Sequence, residues 1–296
     1  MLKISNLSHV YGNGVRALNN VSLNVPKGMF GLLGPNGAGK STLMRSLAAL
    51  QKPSQGDIQF GEINVLNEPD LLRQKLGYLP QDFGVYPRIS ALAMLDHLAL
   101  LKGVTNNRER KELVTELLRQ VNLFDVRKKS LAGFSGGMRQ RFGVAQALIG
   151  NPELVIVDEP TAGLDPQERN RFHNLLSEIG ENVVVLLSTH IVSDVADLCP
   201  QMAIIASGEI VSKGAPSELI AELDGKVWQK TIEKSDITSY QAKYNLLSAR
   251  LITGKTVIRI YAENDPGDGF FGVAADLEDV YFRKVFSGET SSVAAA

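Results

Sequence analysis

The chain has 296 residues, of which 44% are hydrophobic and 21% are charged, a composition typical of a soluble globular protein with its own core. Its 31 lysines and arginines nearly balance 32 aspartates and glutamates, and the net charge of -1 argues against nucleic-acid binding through an overall positive field. The single cysteine, Cys199, excludes an internal disulfide and a thiolate metal cluster, which fits a reducing compartment.

No apolar run in the sequence approaches the roughly 18 residues that a membrane-spanning helix needs. The first residues, MLKISNLSHVY, lack the basic and apolar blocks of a signal peptide. Composition alone therefore predicts a cytosolic protein that acts by itself.

The N-terminal part of the chain is predicted to be rich in strands. The segments LKISNLSHV and ALNNVSLNV alternate loosely between apolar and polar residues, which predicts an N-terminal antiparallel β subdomain. The apolar run Met29–Leu33 predicts a buried strand, and TLMRSLAAL predicts a helix after a glycine-rich turn. A second β-rich segment follows at Asp57–Val65.

The middle of the chain is predicted to be a helical subdomain at about 86–150, because apolar residues recur there at spacings of three and four. The sequence then predicts a strand in ELVIVDEP, a helix at 166–179, a strand in VVVLLS, a helix at 191–198 and a hairpin at 203–214. Continuous apolar strands that alternate with helices predict a mainly parallel sheet in an α/β domain, which we place at residues 1–222.

The C-terminal part has a different pattern. The segments VWQKTIE and TVIRIYAE are amphipathic, and DLEDVYFRKVF has a helical pattern, which together predict a small α+β appendage at 223–286. Residues 287–296 show no periodicity and are predicted to be a disordered tail.

A glycine-rich segment between the strand Met29–Leu33 and the next helix matches G-x-x-x-x-G-K-[ST]. Its glycines allow successive N–H groups to point at phosphate oxygens, and the dipole of the following helix favours the same anion. We expect Lys40 to reach the β- and γ-phosphates of a nucleotide, Ser41 to bind Mg²⁺ and Thr42 to add a phosphate contact. The predicted nucleotide-binding residues of this phosphate loop are Gly34, Pro35, Asn36, Gly37, Ala38, Gly39, Lys40, Ser41 and Thr42.

Two acidic residues, Asp158 and Glu159, follow the apolar run LVIV. The carboxyl ends of strands are where open α/β sheets place their ligands. Asp158 is expected to help hold Mg²⁺, and Glu159 to orient an attacking water or accept its proton. Together with the phosphate loop, these acids equally suit a kinase, a GTPase or a recombinase-type ATPase.

A second predicted anion site separates these possibilities. The segment Phe134-Ser135-Gly136-Gly137-Met138-Arg139-Gln140-Arg141 opens onto a predicted helix, whose N-terminus favours an anion. This segment resembles the signature loop of ATP-binding cassette (ABC) proteins, which is commonly Leu-Ser-Gly-Gly-Gln. Phe134 and Met138 replace the outer two residues of that pattern, whereas Ser135, Gly136 and Gly137, which would contact phosphate, are present.

Other segments resemble ABC motifs in the same order. Gln81 resembles the Q-loop glutamine, which would contact Mg²⁺ or the attacking water. Gly163-Leu164-Asp165 resembles the D-loop, and Asp165 would lie at the nucleotide. His190 resembles the switch histidine, which would act with Glu159, and Tyr11 matches the aromatic residue that stacks on adenine. The catalytic set implied by the resemblance is Glu159, His190, Gln81 and Lys40.

Single residues outside these motifs are given simpler interpretations. We expect His9, His97 and His173 to be surface or packing residues, and Trp228 to pack within the appendage. Arg139 and Arg141 are predicted to be a solvated or dimer-facing basic pair.

The resemblance implies an ATPase subunit that powers a membrane transporter. Two cassettes, either two copies of this chain or this chain and a homologous one, would pair head to tail around two ATP molecules. An integral membrane permease on a separate chain would be the partner, which implies a peripheral location on the cytoplasmic side of the membrane. The ending DLEDVYF and the signature FSGGMRQR are similar to export-type cassettes. The alternatives are a soluble ABC ATPase of translation or DNA repair and a regulatory nucleotide-binding module without transport.

Overall fold

The computed structural model describes residues 1–81, 84, 88–161, 164–181 and 183–286. Within these residues the chain forms two compact units, one of residues 1–200 and 205–210 and the other of residues 201–204 and 211 onward. The predicted tail at 287–296, Gly163 and the predicted start of the helical subdomain at residue 86 lie outside the described residues.

The strands are β1 (Leu2–Val10), β2 (Arg16–Val25), β3 (Gly28–Leu33), β4 (Gln55–Phe60), β5 (Ile63–Asn64), β6 (Leu76–Leu79), β7 (Leu154–Asp158), β8 (Val184–Thr189), β9 (Gln201–Ala206), β10 (Glu209–Gly214), β11 (Val227–Ile232), β12 (Asn245–Ile252), β13 (Lys255–Tyr261) and β14 (Phe271–Gly272). The helices are α1 (Lys40–Leu47), α2 (Pro69–Lys75), α3 (Ala91–Leu101), α4 (Asn107–Gln120), α5 (Gly136–Ala147), α6 (Pro166–Gly180), α7 (Val192–Leu198), α8 (Pro216–Ala221), α9 (Ile237–Lys243) and α10 (Leu277–Phe286).

The N-terminal sheet is antiparallel, as its alternating pattern predicts. Its order is β2-β1-β4-β5, and the central strand β1 pairs Leu2 with Val25 on one side and with Phe60 on the other. Leu2, Ile4 and Leu7 of β1 are buried, whereas Val10 at its end is exposed. This pairing fixes the end of β1, and Tyr11 follows directly after it.

The larger sheet positions the predicted site. Its order is β10-β9-β3-β8-β7-β6, and the pairs β3–β8, β8–β7 and β7–β6 are parallel. Strands β7 and β8 are buried along their whole length, which explains their uninterrupted apolar sequences. Because the strands are parallel and in register, the residues that follow β3, β6, β7 and β8 share one edge of the sheet.

The helical subdomain consists of α3, α4 and α5, each of which begins at a polar cap. Ser90 accepts a hydrogen bond from the Ala93 amide, and Asn106 accepts from the amides of Arg108 and Glu109. The three helices contact one another, and their buried apolar residues include Leu95, Val114, Leu117, Leu118, Phe142 and Val144.

The second unit contains a sheet of order β12-β13-β11-β14 with helices α8, α9 and α10. Ile232, Ile258, Ile260 and Phe270 form its core, against which Trp228 packs as expected. The sequence patterns predict β11, β13 and α10 but not α8, α9, β12 or β14. No helix in the described part of the chain combines the length and apolar character needed to cross a membrane.

Candidate functional site

The phosphate loop connects β3 to α1 and has the backbone shape that its glycines predict. Gly37 and Gly39 have φ values of 82° and 103°, in the left-handed region that favours glycine. At Gly39 a Cβ atom would lie 2.3 Å from the carbonyl oxygen of Ala17, so a larger residue would displace the loop. Among the described residues no side chain caps the N-terminus of α1, and its first turn holds no acidic residue. The amides of this turn are therefore open to an anion.

Lys40, the first residue of α1, is buried and faces the loop. Its Nζ donates hydrogen bonds to the carbonyl oxygens of Gly34 at 2.7 Å and Pro35 at 3.1 Å. The same ammonium lies 3.2 Å from Oε1 of Glu159, whose side chain is 5% exposed. Lys40 and Glu159, both of which the sequence predicts to act in ATP hydrolysis, therefore form a buried ion pair.

Glu159 is fixed from two directions. Its backbone has a φ of 52°, an uncommon conformation for a non-glycine residue, and its amide donates to the carbonyl oxygen of Ser188 at 2.8 Å. Its Oε2 contacts Nδ1 of His190, which follows β8 and has a side chain 44% exposed. A chain of contacts therefore runs from Lys40 through Glu159 to the partly exposed ring of His190.

Asp158, the last residue of β7, is a buried carboxylate that is incompletely satisfied. Its Oδ1 has no hydrogen-bond partner among the described residues. Burial raises the pKa of Asp158, and the neighbouring Glu159 carboxylate raises it further, while the Ser188 and Ser41 hydroxyls and the Lys40 ammonium act in the opposite direction. A bound cation would remove this cost, because it would supply the missing partner for the charged oxygen.

The three predicted Mg²⁺ residues line one cavity of about 420 Å³. They offer a hydroxyl from Ser41, an amide oxygen from Gln81 and the unpartnered carboxylate oxygen of Asp158. Mg²⁺ prefers oxygen ligands and is commonly held by one or two carboxylates together with substrate phosphates and water. The residues present therefore fit this ion. The cavity is lined by Ser41, Arg45, Leu50, Tyr78, Pro80, Gln81, Gln146 and Asp158.

We expect Asp158→Asn to stabilise the nucleotide-free protein while it lowers Mg²⁺-dependent hydrolysis by ~10²-fold or more. The folded state of the wild type bears the cost of a buried charge above the raised pKa of Asp158, and this cost disappears as pH falls and the carboxyl is protonated. Thermal unfolding without Mg²⁺ should show a gain in Tm for the variant at pH 8 that shrinks towards acidic pH. An unchanged requirement for Mg²⁺ would contradict this assignment.

Tyr11 is anchored to the phosphate-loop helix. Its hydroxyl lies 2.9 Å from Oγ1 of Thr42, and its ring makes an edge contact with His9 at a centroid distance of 4.7 Å. The structure thus brings the predicted base-stacking residue to the loop that is predicted to bind the phosphates. His9, for which we expect packing or a surface position, packs against the ring of Tyr11.

The signature residues begin α5. Ser135 is its N-terminal cap and accepts a hydrogen bond from the Met138 amide at 3.2 Å, and Gly136 and Gly137 form the first turn. A Cβ atom on Gly137 would approach Oε2 of Glu168 to 2.6 Å, whereas none of the described atoms lies within 4 Å of one on Gly136. Phe134, which replaces the usual leucine, is buried in an edge contact with Phe142.

The prediction that Arg141 is solvated or faces a partner is wrong. Arg141 is 8% exposed, and its Nε lies 3.3 Å from Oε2 of Glu168 in the first turn of α6. A buried charge needs such a partner, which the linear sequence does not reveal. Arg139 remains exposed. Asp165 caps α6 by accepting a hydrogen bond from the Glu168 amide at 2.9 Å. The ion pair between Arg141 and Glu168 therefore connects α5, which begins at the signature residues, with α6, which begins after the predicted D-loop.

The structure gathers most of the predicted site at one edge of the parallel sheet. Lys40, Ser41, Gln81, Asp158 and Glu159 share contacts or a cavity there, and His190 contacts Glu159. Within the described residues, no hydrogen bond or ion pair joins Ser135, Gly136 or Gly137 to this group. His173, for which the sequence predicts a surface or packing position, is buried and hydrogen-bonded to Asp194.

Comparison with known proteins is consistent with this geometry. The family model described as ABC transporter matches residues 18–162. The daunorubicin/doxorubicin resistance ATP-binding protein DrrA of Streptomyces peucetius is 33% identical over 267 residues, which cover 90% of this chain and 78% of DrrA. The methionine import ATP-binding protein MetN 1 of Salmonella typhimurium is 36% identical over 259 residues, which cover 82% of this chain and 75% of MetN 1.

A solved structure extends the comparison to the fold. The ATP-binding cassette MJ0796, in a dimeric post-hydrolysis state with bound ADP and Pi, superposes with a TM-score of 0.67 at 27% identity. The match covers 73% of this chain and 98% of that cassette, which confirms the predicted fold class. On this identity and coverage, the chain belongs to the ABC transporter family, as one of its ATP-binding, ATP-hydrolysing cassettes.

Proposed function

We propose that this cassette powers the export of small molecules through an integral membrane permease on a separate chain, by forming an ATP-sandwich dimer that closes with ATP and Mg²⁺. One observation carries the proposal: Lys40, Glu159 and His190 form a connected chain of contacts, whereas the signature residues begin a helix outside it. The phosphate loop and the signature residues of one cassette are separate anion sites. Both can contact the phosphates of ATP only if each ATP lies between the phosphate loop of one cassette and the signature residues of a second cassette.

In the proposed dimer, each ATP contacts Lys40, Ser41 and Asp158 of one cassette and Ser135 and Gly137 of the other. Tyr11 stacks on the adenine, a contact worth about 1–3 kcal/mol per base in other nucleotide complexes. Asp165 lies at the same interface. The second cassette is a copy of this chain or a homologous one. The dimeric state of the MJ0796 cassette supports this arrangement.

The contacts of Lys40 suggest how nucleotide binding prepares hydrolysis. The ammonium is bound by two loop carbonyls and by Glu159. When Lys40 turns to the phosphates, Glu159 loses this partner and is free to accept a proton from the attacking water. His190 then orients Glu159, and Gln81 helps to position the water. Mg²⁺ held by Ser41, Gln81 and Asp158 would supply charge neutralisation at the phosphate oxygens.

The permease is proposed to bind near an apolar cavity of about 470 Å³ in the first unit. Its lining includes Leu50, Leu98, Leu101 and Ile149, and Leu101 is 70% exposed. Leu50, Tyr78 and Gln146 also line the predicted Mg²⁺ cavity, so a partner seated here would sense the nucleotide site. This contact would hold the cassette peripherally at the cytoplasmic face of the membrane.

Export is favoured over import by two features. The ending DLEDVYF and the signature FSGGMRQR resemble export-type cassettes, and DrrA is named for drug resistance. Import is the second candidate, because MetN 1, which is named for methionine import, is similarly identical.

The test is to purify the tagged chain from detergent-solubilised membranes of its native host and identify the integral membrane protein that accompanies it. We expect Leu101→Asp to reduce this recovery at least tenfold without loss of ATPase activity, because it places a charge in the apolar cavity. Leu100→Asp is the matched control, since Leu100 is also exposed on α3 but does not line the cavity. Recovery of ribosomes or DNA instead of a membrane protein would favour a soluble function and contradict the proposal.

The same complex tests direction once it is reconstituted into vesicles with the cassette on the outside. ATP added outside should drive accumulation of an amphiphilic drug such as daunorubicin in the lumen if the complex exports. Release of preloaded methionine from the lumen on addition of ATP would support import instead.

A further inference from the structure

A buried carboxylate outside the predicted site collects polar contacts from three parts of the first unit. Asp194, in the first turn of α7, has no solvent exposure. Its Oδ1 accepts from Arg169 Nε at 2.7 Å and lies 2.9 Å from His173 Nε2. Its Oδ2 accepts from the hydroxyl of Thr161 and lies 3.4 Å from that of Thr189. The four partners compensate a charge that burial would otherwise make costly.

Two of these partners flank the catalytic pair. Thr161 lies two residues after Glu159, at the end of the segment Asp158-Glu159-Pro160-Thr161. Thr189 is the last residue of β8 and directly precedes His190. The carboxylate of Asp194 therefore contacts one residue near Glu159, which is Thr161, and one residue next to His190, which is Thr189.

The same network includes the residue on each side of His190. The Oγ1 atom of Thr189 accepts a hydrogen bond from the Ile191 amide at 3.0 Å, so the hydroxyl is oriented to donate towards Asp194. Glu159 has a left-handed φ of 52° and lies two residues before Thr161, whose hydroxyl donates to Asp194. Such a conformation persists only where surrounding contacts hold it, and Asp194 acts on it indirectly by anchoring Thr161.

The other two partners connect the network with α6. Arg169 and His173 are one helical turn apart on this helix, and Asp165 is its N-terminal cap. Arg169 also donates from Nη2 to the hydroxyl of Ser193. The carboxylate therefore ties the strand ends that carry Glu159 and His190 to the helix that begins at the predicted D-loop residue.

We propose that Asp194 is a positioning residue for ATP hydrolysis, which holds the Glu159–His190 pair in its working geometry through Thr161 and Thr189. The inference rests on the catalytic roles proposed above for Glu159 and His190. Asp194 does not touch the substrate. Its loss misplaces the pair, and a misplacement on the order of 1 Å lowers a reaction rate by up to ~10²-fold.

The experiment compares kcat, KM for ATP and the fraction of molecules that bind ATP in full-length variants. Asp194→Asn, which keeps the shape but removes the charge, should lower kcat on the order of tenfold or more and leave KM within about twofold. KM should stay nearly unchanged because Lys40 and Ser41, which are proposed to contact the nucleotide, are not among the residues that Asp194 contacts.

A second pair of variants keeps the test decisive if Asp194→Asn does not fold. Thr161→Val removes one hydroxyl and leaves Arg169 and His173 to compensate Asp194, and it should lower kcat severalfold. Thr161→Ser restores the hydroxyl and should restore kcat. The inference is wrong if kcat of Thr161→Val equals that of the wild type, or if kcat in every variant falls only in proportion to the fraction that binds ATP.

The Glu159→Gln variant separates this inference from the proposed function. If Glu159→Gln hydrolyses ATP at the wild-type rate, the catalytic role of Glu159 fails and this inference fails with it. If Glu159→Gln is inactive while Asp194→Asn and Thr161→Val retain the wild-type kcat, only the positioning role of Asp194 fails.

Discussion

Glu159→Gln is expected to bind ATP with nearly wild-type affinity and to hydrolyse it ~10²-fold more slowly or worse. Glutamine has the size of glutamate and retains an oxygen that can accept a hydrogen bond from Lys40 at the 3.2 Å position of the wild-type contact. Its amide is not a base, so it cannot take the proton of the attacking water. Phosphate release under saturating ATP and Mg²⁺ measures the loss, and calorimetric titration with ATP measures the affinity.

The same variant tests the ATP-sandwich. Slow hydrolysis should trap ATP between two cassettes, so gel filtration with ATP and Mg²⁺ should show a dimer that ADP does not support. A variant that remains monomeric at saturating ATP and Mg²⁺ would contradict the sandwich, and hydrolysis at the wild-type rate would contradict the role of Glu159. Glu153→Gln is the matched control, because Glu153 is an exposed carboxylate that precedes β7 and pairs with Lys75.

The parts of the site that the sequence predicts correctly are those encoded by short contiguous segments. The phosphate loop, Asp158-Glu159 and His190 each follow a buried apolar strand, and parallel pairing of β3, β7 and β8 brings these strand ends together. In the register of the sheet, Leu33 pairs with Thr189 and Ser188 pairs with Asp158. Residues that are far apart in the sequence can therefore be predicted to lie together where the fold class gives the strand order.

The parts that the sequence does not reveal are contacts between single polar residues of different elements. Arg169 and His173 have the spacing of a solvated helix face, yet both contact the buried Asp194. Arg141 and Glu168 are 27 positions apart in the numbering of the chain, and neither lies in a pattern that identifies the other. Polar residues become identifiable as partners only when the packing of α5, α6 and α7 is known.

The missed elements of the second unit have a related cause. Helix α9 has only seven residues and none of them is buried, so it lacks an apolar face that would show a helical period. Strand β12 is an edge strand whose last four residues are exposed, and its sequence NLLSARLI does not alternate regularly. Helices and strands are predicted from the periodic spacing of their buried apolar residues. Elements with few buried residues lack this pattern.

Lys40→Met is expected to lower both the affinity for ATP and the stability of the nucleotide-free protein. Loss of the ammonium removes charge-assisted hydrogen bonds to phosphate, each worth about 1.5–3 kcal/mol, so the Kd for ATP should rise ~10-fold to 10²-fold or more. The change also leaves Glu159 buried without its lysine partner. Removal of one member of a buried ion pair costs roughly 3 kcal/mol, which chemical denaturation should detect as a lower free energy of unfolding.

A double-mutant cycle separates these two effects of Lys40. In Lys40→Met/Glu159→Gln no unpaired charge remains at this position, so stability should recover most of what Lys40→Met loses. The affinity for ATP should not recover, because glutamine at position 159 supplies no positive charge to the phosphates. Stability losses of the two single variants that simply add in the double variant would show that the 3.2 Å contact contributes nothing to folding. The expected non-additivity would instead establish that Lys40 and Glu159 stabilise the folded cassette as a pair.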